Sequence, residues 1–551
     1  MSIGAQRPTA VIKNNTLYID GGSETFIDGD DKIGNITFGY NNYLITVDLS
    51  NSWDWRNNIS EKALPKRANS PTNMQIPILA RGALYHGADA DDCIYLWGGT
   101  TNLWNTSFPG FQAPSSQQYS LWSFNIVNQQ WNQYDTTLGS AHRPSRGSFT
   151  EARDQGLGFF FNGQLDSGSE LETEVFGDKR PQFLEGMIVI DTNNKTARNL
   201  STKAVSGDLP RSRGRMQYVD DIGTKGVLVQ IGGNQQSVTV QKDSFTGNLV
   251  PMNVIDVFDV ASYYSSSTPD GVWYRQSTSG ETPDGRIDFC VIQASATDGS
   301  SHNLYVYGGR GPDDVFFDDV WVLSLPGFVW TKIYQGNSPR AGHTCHRVGS
   351  RTMITVGGTA NTDYGSPPCD WETKGVGVFE ISDVTWGSKY NATQSKYTVP
   401  SQVVAQIGGN QRGGATMRQP VNGFSQTELA KLFNVKVSTP ATPPTPDRPR
   451  PKHTIAPLIG GLIGGIAFLI FAAAAIFYYK RTIQHFWSRV PDPRQEMDDN
   501  QRIVKEMMDK DVFWELPADD KPVEIGPSAS RADGDILLVS EMHLKHINDF
   551  F

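Results

Sequence analysis

The sequence has little cysteine, little charge and no basic excess. Its 551 residues include four cysteines, Cys93, Cys290, Cys345 and Cys369. No two stand in a CxxC spacing, which removes the usual signature of a zinc module. An even, sparse set allows one or two disulfides or none, and spacing alone does not choose. Charged residues make up 19% of the chain and the net charge is −10. A surface of that sign does not serve the phosphates of a nucleic acid. The glycine-rich run at 408–414 has no Walker lysine after it, so nucleotide binding is not indicated. Residues 1–11 lack the apolar core of a secretory signal.

Glycine (54), proline (31), tryptophan (13) and tyrosine (19) are plentiful. That balance suits turn-rich β structure with aromatic strands. The run Tyr95-Leu96-Trp97 ends at Gly98-Gly99, and the same shape returns at Gly22, Gly163, Gly233, Gly309 and Gly358. A strand buried on both faces reads as a continuous apolar run, and a following glycine supplies the positive φ that ends it. Six such endings are an internal repeat. In the first unit, two strands flank the turn pair Asn14-Asn15, and NYLITVDLS and SWDW are expected as the third and fourth. In later units a small or polar residue precedes a tryptophan by six: Asn125/Trp131, Ser324/Trp330 and Glu380/Trp386. Asp259/Trp273 is a longer variant, and the third unit has no such tryptophan and only Gly163 in place of the pair.

The glycine pairs, the spaced tryptophans and PRAGHTCHRVG before the sixth pair resemble kelch repeats over about residues 7–390. The resemblance implies an all-β, kelch-type β-propeller over 1–437. It implies six four-stranded blades, or seven if VPSQVVAQIGG at 399–409 completes another. A single blade cannot cover both of its faces, so a ring of blades is what buries them. The tryptophans are expected to pack between blades. Residues 426–437 are expected to form a short helix or strand packed on the propeller.

Extra length falls just after the glycine pairs, at 23–41, 100–120, 164–185, 234–252 and 359–374. In an antiparallel blade these connections emerge at one end, and loops on a rigid scaffold are where binding concentrates. Their aromatics Trp104, Phe108, Phe111, Phe176, Phe183 and Tyr364 are therefore candidate binding residues for a protein or glycan ligand.

Residues 438–454 hold six prolines and form a Pro/Thr-rich stalk. Residues 455–479 are 25 residues without a charge, long enough for a single transmembrane helix. Tyr478 and Tyr479 sit where an interfacial aromatic belt would, before Lys480 and Arg481. Gly460/Gly464 and Gly461/Gly465 form overlapping GxxxG spacings that would let two copies pair as a homodimer. The tail, 480–551, has ten Lys/Arg and fifteen Asp/Glu and reads as acidic and mostly disordered.

Seven N-x-S/T sequons, at Asn14, Asn35, Asn58, Asn105, Asn194, Asn199 and Asn391, precede the span and none follows it. All four cysteines lie on the same side. Cys345 and Cys369 flank one hairpin of the last unit and would close a loop of ~24 residues, worth about 3 kcal/mol. These features favour a propeller displayed outside the plasma membrane, with the tail in the cytoplasm and a leader preceding Met1. The alternative is a membrane-anchored scaffold facing the cytosol, of the kind that organises polarity or trafficking. The layout is similar to fungal surface proteins with kelch repeats.

Kelch-type propellers include galactose oxidase, whose copper is held by two tyrosines and two histidines. Here His343 and His346 are three apart on a strand and face opposite sides. The acidic pairs Asp30-Asp31, Asp91-Asp92, Asp313-Asp314 and Asp318-Asp319 lack EF-hand spacing and are expected in solvated turns. The sequence thus assigns no catalytic residue, no metal and no cofactor.

Overall fold

The computed structural model describes residues 8–434 except 28–35, 58, 67–75, 101–119, 137, 139–143, 167, 170–180, 237–247 and 361–374. The described residues fall in one compact unit, Met1–Thr439. The stalk, the uncharged segment 455–479, its GxxxG glycines and the tail lie outside them. No helix among the described residues is long and apolar enough to cross a membrane.

Alternation of turn signals and apolar runs gives six main sheets, each an antiparallel meander. Blade 1 holds Thr9–Lys13, Thr16–Asp20, Tyr43–Asp48 and Glu61–Pro65. Blade 2 holds Ala83–Tyr85, Cys93–Trp97, Ser120–Asn125 and Gln130–Asp135. Blade 3 holds Ser148–Ala152, Leu157–Phe161, Met187–Asp191 and Thr196–Leu200. Blade 4 holds Arg215–Val219, Val227–Ile231, Val254–Asp259 and Val272–Ser277. Blade 5 holds Cys290–Ser295, His302–Tyr307, Asp319–Leu325 and Val329–Gln335, with Ser279–Gly280 added parallel to its outer strand. Blade 6 holds Thr344–Val348, Thr352–Val356, Val376–Glu380 and Thr385–Gly387.

The first strand of each blade neighbours the first strand of the next, and that of blade 6 returns to that of blade 1. Six sheets around a common axis make a β-propeller. There is no seventh blade at 399–409: after Pro400 the chain forms the helix Ser401–Ile407, which buries Val403 and Ile407 instead of pairing as a strand. The fourth strand of blade 1 also differs from expectation. It is Glu61–Pro65, whereas Trp53–Asp54 leaves the sheet to pair with Lys389–Tyr390 beyond blade 6. That two-stranded ladder ties the two ends of the ring together. Tyr390 adds a hydrogen bond from its hydroxyl to the Leu49 carbonyl at 3.0 Å.

The core is six apolar clusters, one at each blade junction. The spaced tryptophans occupy matching places in them. Trp131, Trp273 and Trp386 each pack against the phenylalanine cross-strand from them, Phe124, Phe258 and Phe379, at 4.9–5.2 Å between ring centroids. Trp273 also meets Phe161 of the preceding blade, and Trp386 meets Tyr307. Trp330 donates its indole N–H across the junction to the Met252 carbonyl at 2.9 Å. The helix Thr427–Asn434 buries Leu429 in the cluster between blades 4 and 5, with Phe433 edge-on to Phe328.

Candidate recognition face

Blades 2 to 6 are each entered through a short lead-in that meets the glycine pair of the blade before it. The N–H of the second glycine donates to a lead-in carbonyl: Gly22 to Leu79, Gly99 to Pro144, Gly163 to Arg211, Gly233 to Arg286 and Gly309 to Arg340, at 2.7–3.0 Å. Both glycines of a pair have positive φ, as at Gly98 (64°) and Gly99 (101°). In blade 3 the first position is Asn162 at φ 51°, and asparagine is among the few residues that tolerate this region. The starts of the loops that follow the pairs and the lead-ins therefore share one face of the propeller.

Within the lead-ins a second repeat appears. Ala80, Ser145, Ser212, Ile287 and Ala341 each bridge the residue just past a glycine pair: Thr100, Gln164, Asn234, Arg310 and Thr359. The next residues, Arg81, Arg146, Arg213, Asp288 and Gly342, all have left-handed φ between 55° and 73°. Their backbones are joined in series. Arg146 N donates to Arg81 O, Arg213 N to Arg146 O, Asp288 N to Arg213 O and Gly342 N to Asp288 O, at 2.7–3.1 Å. The result is an arc of peptide groups at the entry to the innermost strands. Three of its five members carry guanidinium groups, although a left-handed φ is uncommon for arginine.

The charges on the arc are partly balanced. Arg146 Nη1 lies 3.0 Å from Asp166 Oδ2 and donates to Gln164 Oε1 at 3.2 Å. Thr100 donates its hydroxyl to the other Asp166 oxygen at 2.5 Å. Arg213 Nη1 stands 3.9 Å from Asp288 Oδ2. Burial holds the Arg215 guanidinium below its ordinary range, against the pull of Asp288.

Of the six rim aromatics expected to bind, Trp104, Phe108, Phe111, Phe176 and Tyr364 lie outside the described residues. Phe183 is half-buried in a small ladder with Gln164–Leu165. The loop that sequence length did not single out is the short one of blade 5, 309–318. Val315 there is 51% exposed, Phe316 and Phe317 are half-buried, and the Arg286 guanidinium lies over Phe317 at 4.1 Å. A signal for the arc was present as well. Arg81-Gly82-Ala83, Arg146-Gly147-Ser148 and Arg213-Gly214-Arg215 repeat one after another before the first strands.

Asp318 and Asp319 are not in a solvated turn. Both are buried, and Asp319 accepts two bonds from Arg286, at 2.6 and 3.2 Å, and one from the Trp321 indole. At the opposite ends of the innermost strands, Lys13 is buried and donates to the His86 carbonyl at 2.7 Å. Glu151 accepts from His86 N at 2.6 Å. Burial lowers the Lys13 ammonium and raises the Glu151 carboxyl.

The disulfide is Cys290–Cys345, not Cys345–Cys369. The two cysteines occupy the neighbouring first strands of blades 5 and 6, with Cα atoms 5.6 Å apart, which suits a disulfide. Cys369 lies outside the described residues. His343 is fully buried, its ring 5.0 Å from Tyr307 and its Nε2 3.1 Å from Cys290 Sγ. Burial, reinforced by Arg340, keeps its imidazole neutral. Cys290 Sγ, Cys345 Sγ and a His343 ring nitrogen all lie within 4.8 Å of one another.

Among sequon asparagines, Asn14, Asn194, Asn199 and Asn391 are exposed; Asn35, Asn58 and Asn105 are outside the described residues.

No protein-family model matches the chain. It is similar to a kelch repeat-containing protein of Arthroderma benhamiae, 27% identical over 555 residues, covering 88% of this chain and 75% of that one. Among solved structures, that of YjhT aligns with a TM-score of 0.44 and 12% identity, over 70% of this chain and 98% of the other.

Proposed function

We propose that this chain is a non-enzymatic recognition protein whose propeller takes a protein or glycan partner on the face that carries the glycine-pair loops. One observation carries this reading. The left-handed arginine arc, in which the Arg146 and Arg213 side chains are largely buried, and the exposed Val315 of the blade 5 loop share that face. Backbone held in a sparsely populated region tends to mark a site where geometry is being fixed for a purpose, and aromatic and arginine side chains dominate binding energy at interfaces. A photo-crosslinking residue at Val315 should trap a partner, and one at Val127 should not. Val127 is 72% exposed in the turn between the third and fourth strands of blade 2, at the opposite end of the blades. Equal trapping at both positions would sink the reading.

The same proposal includes display outside the cell on a single span at 455–479. The exposure of Asn14, Asn194, Asn199 and Asn391 supports it, as does a disulfide, since such bonds persist in oxidising compartments. Endoglycosidase treatment of the expressed chain should increase its gel mobility. No shift would favour the cytosol-facing scaffold.

A further inference from the structure

We propose that, once its disulfide is reduced, the junction between blades 5 and 6 binds one zinc ion through Cys290 Sγ, Cys345 Sγ and His343 Nε2. The inference stands apart from the recognition reading and rests on a different part of the molecule.

The three side chains come from two blades. Cys290 and Cys345 belong to adjacent first strands, and His343 ends the lead-in just past Gly342. Sequence spacing does not expose such a set, because 55 residues separate the cysteines. Ligands bound tetrahedrally to one zinc stand about 3.5–3.8 Å apart, given Zn–S of about 2.3 Å and Zn–N of about 2.0 Å. Here Nε2 is already 3.1 Å from one sulfur and all three ligand atoms lie within 4.8 Å. Separating the sulfurs requires rotation of the cysteine side chains, with the strands left in place. Nε2 faces Cys290 Sγ, so the tautomer protonated on Nδ1 would offer a metal the Nε2 lone pair there. Two thiolates and one imidazole form a soft set that suits zinc, with the fourth position left to solvent. Cys345 is half-exposed and provides an entry path, whereas Cys290 and His343 are covered.

The chemistry balances with a dithiol reductant. Two electrons and two protons pass from the dithiol to the Cys290–Cys345 bond, giving two thiols and the reductant's own disulfide. Zinc then displaces both thiol protons as the two Zn–S bonds form. The junction is thus cross-linked in either state, covalently when oxidised and through the metal when reduced. It lies directly behind Asp288 and Gly342, the last two members of the arc.

The test uses the full chain in detergent with Cys93→Ser and Cys369→Ser, so that only the two proposed thiols remain. Prepared anaerobically with a phosphine, it should bind about one zinc per chain, and the air-oxidised sample should bind none. The phosphine reduces the same bond by taking the oxygen of one water to become a phosphine oxide, and does not compete for metal as a dithiol would. His343→Gln should weaken zinc binding about tenfold or more. Cobalt(II) added to the reduced protein should give thiolate-to-metal charge-transfer absorption and tetrahedral d–d bands. Failure of the reduced protein to bind zinc would overturn the proposal, as would a cobalt spectrum without thiolate bands or zinc binding indifferent to His343→Gln. The cobalt readout and the oxidised–reduced pair need no variant at the site, so they decide the matter even if His343→Gln does not fold.

Discussion

Gly98 lies so close beneath the Pro144 carbonyl that a β-carbon added to it would sit 2.4 Å from that oxygen. The same holds at Gly21, whose added β-carbon would be 1.7 Å from the Leu79 oxygen, and at Gly308, 2.4 Å from that of Arg340. In these three pairs the first glycine is thus where one blade's strand end meets the next blade's lead-in.

Gly98→Ala should therefore cost more than the backbone term alone. A left-handed alanine costs about 1–2 kcal/mol, and a backbone oxygen cannot move aside without opening the junction. Gly299→Ala is the control, because Gly299 has φ 66° with nothing within 4 Å of an added β-carbon. Denaturant unfolding should show a loss of about 1 kcal/mol for Gly299→Ala and at least twice that for Gly98→Ala. Equal losses would mean the junction contact is unimportant.

Arg286→Met should destabilise the fold by about 3–5 kcal/mol, because it strands the buried Asp319 carboxylate. Adding Asp319→Leu should recover much of that loss, since a buried pair is often replaceable by apolar residues. A double variant no more stable than Arg286→Met would show that Asp319 is satisfied by the Trp321 indole alone.

His86 gives a pH signature. Burial pushes its imidazole down to about 4 from the ordinary 6.5, outweighing the hydrogen bond to the Gly87 carbonyl and the Asp89 carboxylate 3.9 Å away. The unfolded chain therefore takes up this proton first, and folded stability is lost as pH falls from 6.5 toward 4. The loss is at most about 3 kcal/mol at 1.36 kcal/mol per pKa unit. Nearby Glu151, whose carboxyl is raised, contributes with the opposite sign, so the comparison must be differential. His86→Gln, which keeps the backbone contacts to Lys13 and Glu151, should flatten the fall between pH 6.5 and 4. Parallel curves for the two proteins would contradict the assignment.

Val315→Asp should leave stability within about 0.5 kcal/mol, as for most surface substitutions, and should abolish partner trapping from a photo-crosslinker at residue 316. Retained trapping would place the contact elsewhere on the face.

Much of the ring was readable because burial on both faces leaves a strong mark. Leu157–Phe161 and His302–Tyr307 are buried throughout, and the stop at a glycine follows directly. The tryptophan spacing reported a real cross-strand partner, as at Phe379/Trp386. What was not legible lies between units. The Cys290–Cys345 bond and the Arg286–Asp319 pair depend on which strands become neighbours, and neither is encoded by spacing within one unit. Trp53 looked like a blade strand because its composition suits one, but its partner is Tyr390 across the seam. The arginine arc was not legible because it is joined by backbone bonds between successive lead-ins, which no pattern within one unit encodes. The run at 399–409 contains Pro400, after which Val403 and Ile407, four apart, fall on one buried helix face.

The seam has a consequence for how the chain is made. Leu49 receives its bond from Tyr390, 341 positions later. A nascent chain emerging from the ribosome must therefore hold blade 1 with one flank open until nearly the whole propeller has been translated. During that interval Leu17, Ile19 and Val47 lack the Ile354, Val356 and Val378 side chains that finally cover them. A chaperone that shields apolar strands would have its longest engagement here, and a premature stop within blade 6 would leave a ring that never shuts.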